Sequence, residues 1–84
     1  MNAGKVTLYA LSTCGWCKKT RELLDGAGIE YQLFYVDLLS EEERRAAVEE
    51  ARRYNPRGSY PTLVAGDRVV VGFDEGAIRE ALGI

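Results

Sequence analysis

The sequence contains no histidine, only two cysteines and no long apolar run. Without histidine, the chain cannot form a Ser–His or Cys–His dyad for nucleophilic catalysis. Structural zinc sites of the Cys/His type are four-coordinate, so two cysteines cannot complete one within a single chain. No apolar stretch approaches the ~20 residues that a membrane helix needs, and residues 1–5 show no signal-peptide stretch. These absences predict no metal site, no membrane partner and a cytoplasmic location.

The composition is that of an ordinary folded domain. The chain has 84 residues, of which 46% are hydrophobic and 29% charged, so it can bury apolar surface and should not be disordered. Thirteen acidic and eleven basic residues give a net charge of -2, which argues against nucleic acid as the main partner because such partners favour a basic surface. We expect one monomeric domain over residues 1–84.

The hydropathy pattern predicts seven elements in the order β-α-β-α-β-β-α. Strands are predicted at residues 6–11, 31–36, 62–65 and 68–71, and helices at 16–27, from Ser40 to about Tyr54, and after Asp74. The first β-α-β unit requires a parallel pair with a right-handed crossover. Gly66 and Asp67 suit the turn of an antiparallel hairpin. We therefore predict an α/β fold: a four-stranded mixed sheet flanked by three helices, on both of its faces.

Local signals make these elements more specific. Ser40 and Glu43 form a capping box, Gly28 suits the end of the first helix, and Asp74 can cap the last one. The nearly continuous apolar run at 31–36 predicts a buried strand. The expected inner face of the second helix comprises Ala47, Val48, Ala51 and Tyr54. Its expected solvent-side ion pairs are Glu41–Arg45 and Glu49–Arg53.

The segment Cys14-Gly15-Trp16-Cys17 lies between the first strand and the first helix. A cysteine at a helix N-terminus faces unpaired N–H groups and the positive end of the helix dipole, which favour the nucleophilic thiolate. Lys18 adds positive charge and is a candidate for stabilising that thiolate. Cys14 at the edge is expected to attack a substrate disulfide, and Cys17 to resolve the mixed disulfide.

Two structural interpretations of the same cysteines compete with this chemistry. They could form half of a zinc site shared by two chains, or they could be incidental core residues. A disulfide between them would close a very short loop and would stabilise the fold little. The position near a β-α-β pattern favours the redox interpretation.

The chain resembles the glutaredoxin family of the thioredoxin fold. The resemblance extends from Val6 to Leu82 and rests on Cys14-Gly15-Trp16-Cys17, Tyr60-Pro61-Thr62 and Gly72-Phe73-Asp74. It implies a thioredoxin-like fold and a dithiol active site. It also implies a cis bond before Pro61, with the Tyr60 backbone pairing with an extended substrate segment.

The resemblance also implies substrate-binding residues and partners. The candidate substrate-binding residues are Trp16, Tyr60, Pro61, Thr62, Gly72, Phe73 and Asp74. We expect Trp16 at the rim of the active site. The implied substrates are protein disulfides and mixed disulfides with glutathione. No cofactor is expected to bind tightly, although glutathione could act as co-substrate.

Departures from the family pattern leave the electron donor open. Glutathione-using members usually carry lysine at the position of Leu11, and they commonly carry a second glycine before Gly72. Arg57 could supply a replacement cation, or could be a solvated loop residue. One alternative is therefore a redoxin reduced by a thioredoxin-reductase-type donor, for example one serving ribonucleotide reductase. Others are a glutathione-dependent iron–sulfur carrier bridging two chains and a non-catalytic interaction domain.

Overall fold

The computed structural model describes residues 4–84; residues 1–3, part of the segment searched for a signal peptide, lie outside this range. The elements are β1 (Val6–Ala10), α1 (Gly15–Gly26), β2 (Gln32–Tyr35), a 3₁₀ turn (Val36–Leu38), α2 (Glu41–Tyr54), β3 (Thr62–Ala65), β4 (Arg68–Val71) and α3 (Glu75–Leu82). This is the predicted order, with most boundaries within one residue of expectation. None of the helices in residues 4–84 combines the length and apolar character that a membrane crossing requires.

The four strands form one mixed sheet in the order β2-β1-β3-β4. β1 is parallel to β2, with Ala10 opposite Tyr35 at their carboxyl ends. β1 and β3 are antiparallel, and so are β3 and β4, which the Gly66–Asp67 turn joins. The predicted thioredoxin-like architecture is confirmed. The carboxyl ends of β1 and β2 meet at one edge of the sheet, where the segment containing both cysteines begins.

Helices cover both faces of the sheet because alternate strand residues point to opposite sides. On one face, α1 and α3 pack against the main core, whose buried members are Val6, Leu8, Ala10, Cys17, Leu24, Leu63, Ala65, Val70, Ile78, Ala81 and Leu82. On the other face, Ala51 of α2 packs against Tyr9 and Val64. All five residues of β1 are buried, as expected for a central strand covered on both sides.

The helix ends follow the predicted signals. The Ser40 hydroxyl accepts the N–H of Glu43, whose side chain reaches back to Ser40, so the capping box is confirmed. After α1, Gly28 has φ +70°. The N–H of Gly28 donates to Asp25 and that of Ile29 to Leu24, which is the Schellman pattern that favours glycine. These bonds fix where α1 ends and therefore which residues its buried face presents.

The prediction of a buried strand at 31–36 is wrong in its burial. β2 is an edge strand: Gln32 is exposed, and Leu33, Phe34 and Tyr35 are only half-buried. Its apolar run therefore covers the flank of the core rather than its centre. Arg21 of α1 holds this flank by donating to the hydroxyls of Tyr31, at 3.1 Å, and Tyr35, at 2.8 Å.

Two expectations for α2 are also wrong. Tyr54, expected on the inner face, is 39% exposed, whereas Ala51 in the same turn of α2 is 2% exposed. Arg53 pairs with Glu50 at 3.4 Å rather than with Glu49. Within residues 4–84, Glu41 and Arg45 form no ion pair. Exposed ion pairs of this kind contribute little to stability, so the difference between the predicted and the observed pairs has little effect on the fold.

The core predicts a stability contrast between two leucines. Leu24 in α1 is completely buried, whereas Leu38 in the 3₁₀ turn is 67% exposed. We expect Leu24→Ala to lower the free energy of unfolding by about 2–5 kcal/mol because it removes buried methyl groups and leaves a cavity. Leu38→Ala, the matched control, should change it by no more than about 0.5 kcal/mol. Urea unfolding of both variants measures the difference; equal losses would contradict the packing described here.

Candidate active site

Cys14 is the N-cap of α1, so its side chain sits at the positive end of the helix. Its backbone is extended (φ -94°, ψ 118°), and its sulfur accepts the N–H of Cys17 at 3.2 Å. A thiol thus takes the place that Ser, Thr, Asp or Asn usually fills at a helix start. Cys14 is half-buried, so a substrate can reach its sulfur. An anionic sulfur at this position is stabilised by the helix N–H group and dipole.

Cys17 lies one turn into α1 and is 1% exposed. Burial, the largest cause, and a hydrogen bond with the Cys14 side chain raise the pKa of the Cys17 thiol to about 12. The Leu11 backbone lowers it, while the charges of Cys14 and Asp37 raise it further. Both cysteines are present as free thiols. The two sulfurs therefore differ in access, and the division between an attacking Cys14 and a resolving Cys17 stays a prediction.

The cis-proline segment is the second predicted motif. The Tyr60–Pro61 bond is cis, as the resemblance implies. Tyr60 is half-buried and packs against both core clusters, and burial raises the pKa of its hydroxyl. Pro61 is fully buried. The segment therefore has a fixed place at the edge of the core.

Thr62 lies beside the cis-proline, and its contact with substrate stays a prediction. Its side chain is fully buried, and its hydroxyl donates to the Ser59 carbonyl at 2.8 Å and accepts from the Asn55 amide at 3.0 Å. We therefore assign the Thr62 side chain to holding the cis-proline segment. Asn55, which the sequence analysis missed, is 3% exposed and also donates to Ser59. Its position just after α2 was the only sequence feature that could have pointed to this role.

The third motif lies directly against the second. The N–H of Gly72 donates to the Pro61 carbonyl at 2.8 Å, and Gly72 has φ +79°, a conformation in which a side chain would be strained. Asp74 caps α3 by accepting the N–H of Ala77 at 3.1 Å and remains exposed. The predicted cap is confirmed, and the exposed carboxylate is available at the start of the helix.

Two aromatic rings join the third motif to the first. Trp16 stacks on Phe73, with ring centroids 5.8 Å apart and planes 18° from parallel. Trp16 is 61% exposed, and its place at the rim of the active site stays a prediction. Together with the bond between Gly72 and Pro61, this stack connects all three predicted motifs, the first of which contains Cys14.

Lys18 and Arg57 are both exposed. Lys18 donates its backbone N–H to the Cys14 carbonyl at 3.1 Å, and a role for its ammonium group stays a prediction. Arg57 lines a surface depression with Tyr54 and Val71, beside the strand that leads into Gly72. Among residues 4–84, no three histidine, cysteine, aspartate or glutamate side chains are grouped as a metal site would require.

Comparison with known proteins identifies the family. The Glutaredoxin family model matches residues 6–70. This chain belongs to the glutaredoxin family. Its structure is similar to the methanoredoxin of Methanosarcina acetivorans, with a TM-score of 0.93, 47% identity and coverage of 98% of this chain and 87% of that one. It is also similar to the glutaredoxin of Methanosarcina mazei, with a TM-score of 0.90, 49% identity and coverage of 98% and 81%.

A curated relative agrees with this assignment. A probable glutaredoxin of Synechocystis is 32% identical over 73 residues, which is 87% of this chain and 78% of the relative. The matched family region contains the first two motifs, and the similar structures cover the third as well. Family membership supports a thiol–disulfide oxidoreductase, and the site of this glutaredoxin has a free-thiol pair suited to that chemistry.

Asp37 is the second residue that the sequence analysis missed. It follows β2 directly, and its carboxylate accepts the backbone N–H of Ser12 at 2.9 Å. A usable signal was present, because the carboxyl ends of parallel strands meet at one edge of a sheet and ligands bind there in open α/β sheets. A polar residue just after β2 should therefore lie near the loop that follows β1.

Proposed function

We propose that this glutaredoxin is a thiol–disulfide oxidoreductase that reduces protein disulfides and glutathione mixed disulfides by a dithiol mechanism. One observation carries the proposal: the half-buried sulfur of Cys14 accepts the N–H of the buried Cys17 at the N-terminus of α1. That geometry supplies an accessible nucleophile and, beneath it, a second thiol within reach.

The proposed reaction has two exchange steps. The Cys14 thiolate attacks one sulfur of the substrate disulfide, forms a mixed disulfide and releases the other sulfur as a thiolate. Cys17 then attacks the Cys14 sulfur, forms the Cys14–Cys17 disulfide and releases the second substrate thiol. The substrate gains two electrons and the protein loses two. A thiol donor later returns the oxidised pair to the dithiol state.

The electrostatics of Cys17 suit this order of events. In the reduced protein, the hydrogen bond and charge of Cys14 both raise the pKa of Cys17, so the buried thiol keeps its proton. Once Cys14 is in a mixed disulfide, its charge is gone and the pKa of Cys17 falls, while burial, the largest cause of the raised pKa, still acts on it. The resolving thiol therefore loses its proton more easily after the first step, and that proton goes to water or a nearby base.

The surface around Cys14 is the proposed substrate site. We assign the Tyr60 backbone, beside Pro61, to pairing with an extended substrate segment. Gly72 and Asp74 are assigned to binding the γ-glutamyl end of glutathione. The Trp16–Phe73 stack is assigned to contacting apolar surface of protein substrates. Glutathione is the ligand in a solved complex of the buckwheat glutaredoxin, which shares the fold at 20% identity and covers 98% of this chain. The proposed setting is the cytoplasm, where thiols stay reduced.

Two electron donors assayed in parallel test the proposal. Disulfide reduction by the purified protein is followed with glutathione and glutathione reductase, and separately with thioredoxin reductase and NADPH. We expect turnover with glutathione. Turnover only with thioredoxin reductase would make the protein a reductase-coupled redoxin, with Trp16 and Phe73 as expected reductase contacts. Turnover with neither donor would contradict the proposed function.

A further inference from the structure

The carboxylate of Asp37 holds a single residue by two hydrogen bonds. It accepts the backbone N–H of Ser12 at 2.9 Å and also the Ser12 hydroxyl. Ser12 belongs to the turn formed by residues 11–14, which is closed by the N–H of Cys14 donating to the Leu11 carbonyl at 3.2 Å. The residue that follows β2 is thus attached to the turn that ends at the nucleophile.

This turn ends at the nucleophilic residue. The Cys14 sulfur accepts the N–H of Cys17 at 3.2 Å, so the end of the turn determines where the Cys14 sulfur lies relative to Cys17. A small displacement of the turn would misalign the Cys14 sulfur for attack by Cys17, and misplacement of reacting atoms is costly to rate.

Asp37 is itself held from the other side. Arg44 of α2 donates through Nε to the Val36 carbonyl at 3.2 Å and through Nη2 to the Leu39 carbonyl at 3.4 Å, on either side of Asp37. The bonds from Ser12, first of all, and also the charge of Arg44 lower the pKa of the Asp37 carboxyl. The group is therefore ionised at neutral pH and is a strong acceptor for both Ser12 donors.

We propose that Asp37 is a positioning residue for the resolving step, in which it acts through Ser12 to fix the turn that aligns Cys14 and Cys17. This inference rests on the proposed dithiol function. Asp37 has a second, electrostatic effect, because its negative charge and that of Cys14 both face Cys17 and disfavour its thiolate. On the other side, Arg44 faces Asp37, and its charge helps to lower the pKa of the Asp37 carboxyl.

A stopped-flow reaction separates the two exchange steps. The reduced protein is mixed with dithiobis(nitrobenzoate), which releases one coloured thionitrobenzoate when Cys14 forms the mixed disulfide and a second when Cys17 resolves it. Cys17→Ser should release only the first. The variants are Asp37→Ala, Asp37→Asn, Ser12→Ala and the Asp37→Ala/Ser12→Ala double variant, with Asp67→Ala as the control carboxylate at the opposite end of the sheet.

We expect Asp37→Ala to slow the second release roughly tenfold and Asp67→Ala to leave it unchanged. Ser12→Ala should slow it less, since the Ser12 N–H still binds Asp37, and the double variant should match Asp37→Ala alone. In Asp37→Asn, the pH midpoint of the second release should move to lower pH because a negative charge near Cys17 is removed. A purely structural role for Asp37 would change thermal stability without moving that midpoint.

The results distinguish this inference from the proposed function. If wild-type protein fails to release the second equivalent, or Cys17→Ser still releases it, the dithiol function itself is wrong. If the wild type behaves as proposed, three results would overturn the role of Asp37: an unchanged second release in folded Asp37→Ala, additive effects of Asp37→Ala and Ser12→Ala, or an unmoved midpoint in Asp37→Asn.

Discussion

Replacing Cys14 with serine is expected to reduce disulfide turnover by a factor on the order of 10³ or more, the scale seen when a catalytic nucleophile is removed. The thiolate is the nucleophile in disulfide exchange, and a hydroxyl cannot form the mixed disulfide. The substitution should be mild for the fold, because Cys14 is half-buried and serine is a good N-cap. The measurement is the initial rate with the donor that supports the wild type.

Cys17→Ser is the informative control for that variant. It leaves the Cys14 sulfur in place, so the first exchange should proceed and the mixed disulfide should accumulate, visible as added mass on the intact protein. Because Cys17 is 1% exposed, the substitution places a hydroxyl in the core, so the thermal melting curve of the Cys17→Ser variant is measured as well. An active Cys14→Ser protein, or a Cys14→Ser protein that still forms the mixed disulfide, would refute Cys14 as the nucleophile.

The two thiols of the reduced protein are expected to differ strongly in their rate of alkylation. The pKa of Cys17 is raised from an ordinary 9.0 to about 12, so below pH 9 its thiolate fraction is about a thousandfold smaller than in the unfolded chain. The higher pKa makes the thiolate intrinsically more reactive, which offsets part of this. The net slowing is on the order of tenfold or more, before the shielding that burial adds.

Iodoacetamide labelling followed by peptide mass spectrometry measures this contrast. At neutral pH, a species modified at Cys14 alone should accumulate, and the same chain in denaturant should lose the contrast. As the pH rises from 9 towards 12, modification of Cys17 in the folded protein should increase about tenfold per pH unit at first, since more thiolate forms. In denaturant, the rate should level off above about pH 9. Equal labelling of both cysteines in the folded protein at neutral pH would contradict the buried, protonated Cys17.

The periodic elements of this fold were readable from sequence because their signals are local. The capping box at Ser40, the glycine at Gly28 and the cap at Asp74 all depend on residues within one helical turn, and all three are confirmed. The burial of β2 was misjudged because an apolar run does not say whether a strand is central or at an edge. That depends on the sheet order, which places β2 outermost.

The motifs of the candidate site could be predicted from the sequence, but the hydrogen bonds between separate segments could not. Two cysteines separated by two residues at the start of α1 indicate redox chemistry from the sequence alone. The resemblance implied the cis bond before Pro61, which the structure has. The buried role of Thr62 and the contribution of Asn55 were not visible, because their hydrogen bonds connect residues on separate segments. The pairing of Asp37 with Ser12 spans 25 positions, farther than periodicity reaches, so the rule that parallel strands end at one edge of a sheet was the available signal for it.

By itself, the sequence determined the class of fold, the chemistry of two thiols and the boundaries of the helices, because each follows from residue type and short-range periodicity. The tertiary structure alone decided how the thiols differ. Folding places one sulfur at an open helix end and the other in the core, where burial raises the pKa of the Cys17 thiol. It also decided what surrounds them, since the sheet brings Asp37, Gly72 and Phe73 to the edge where the first strand ends.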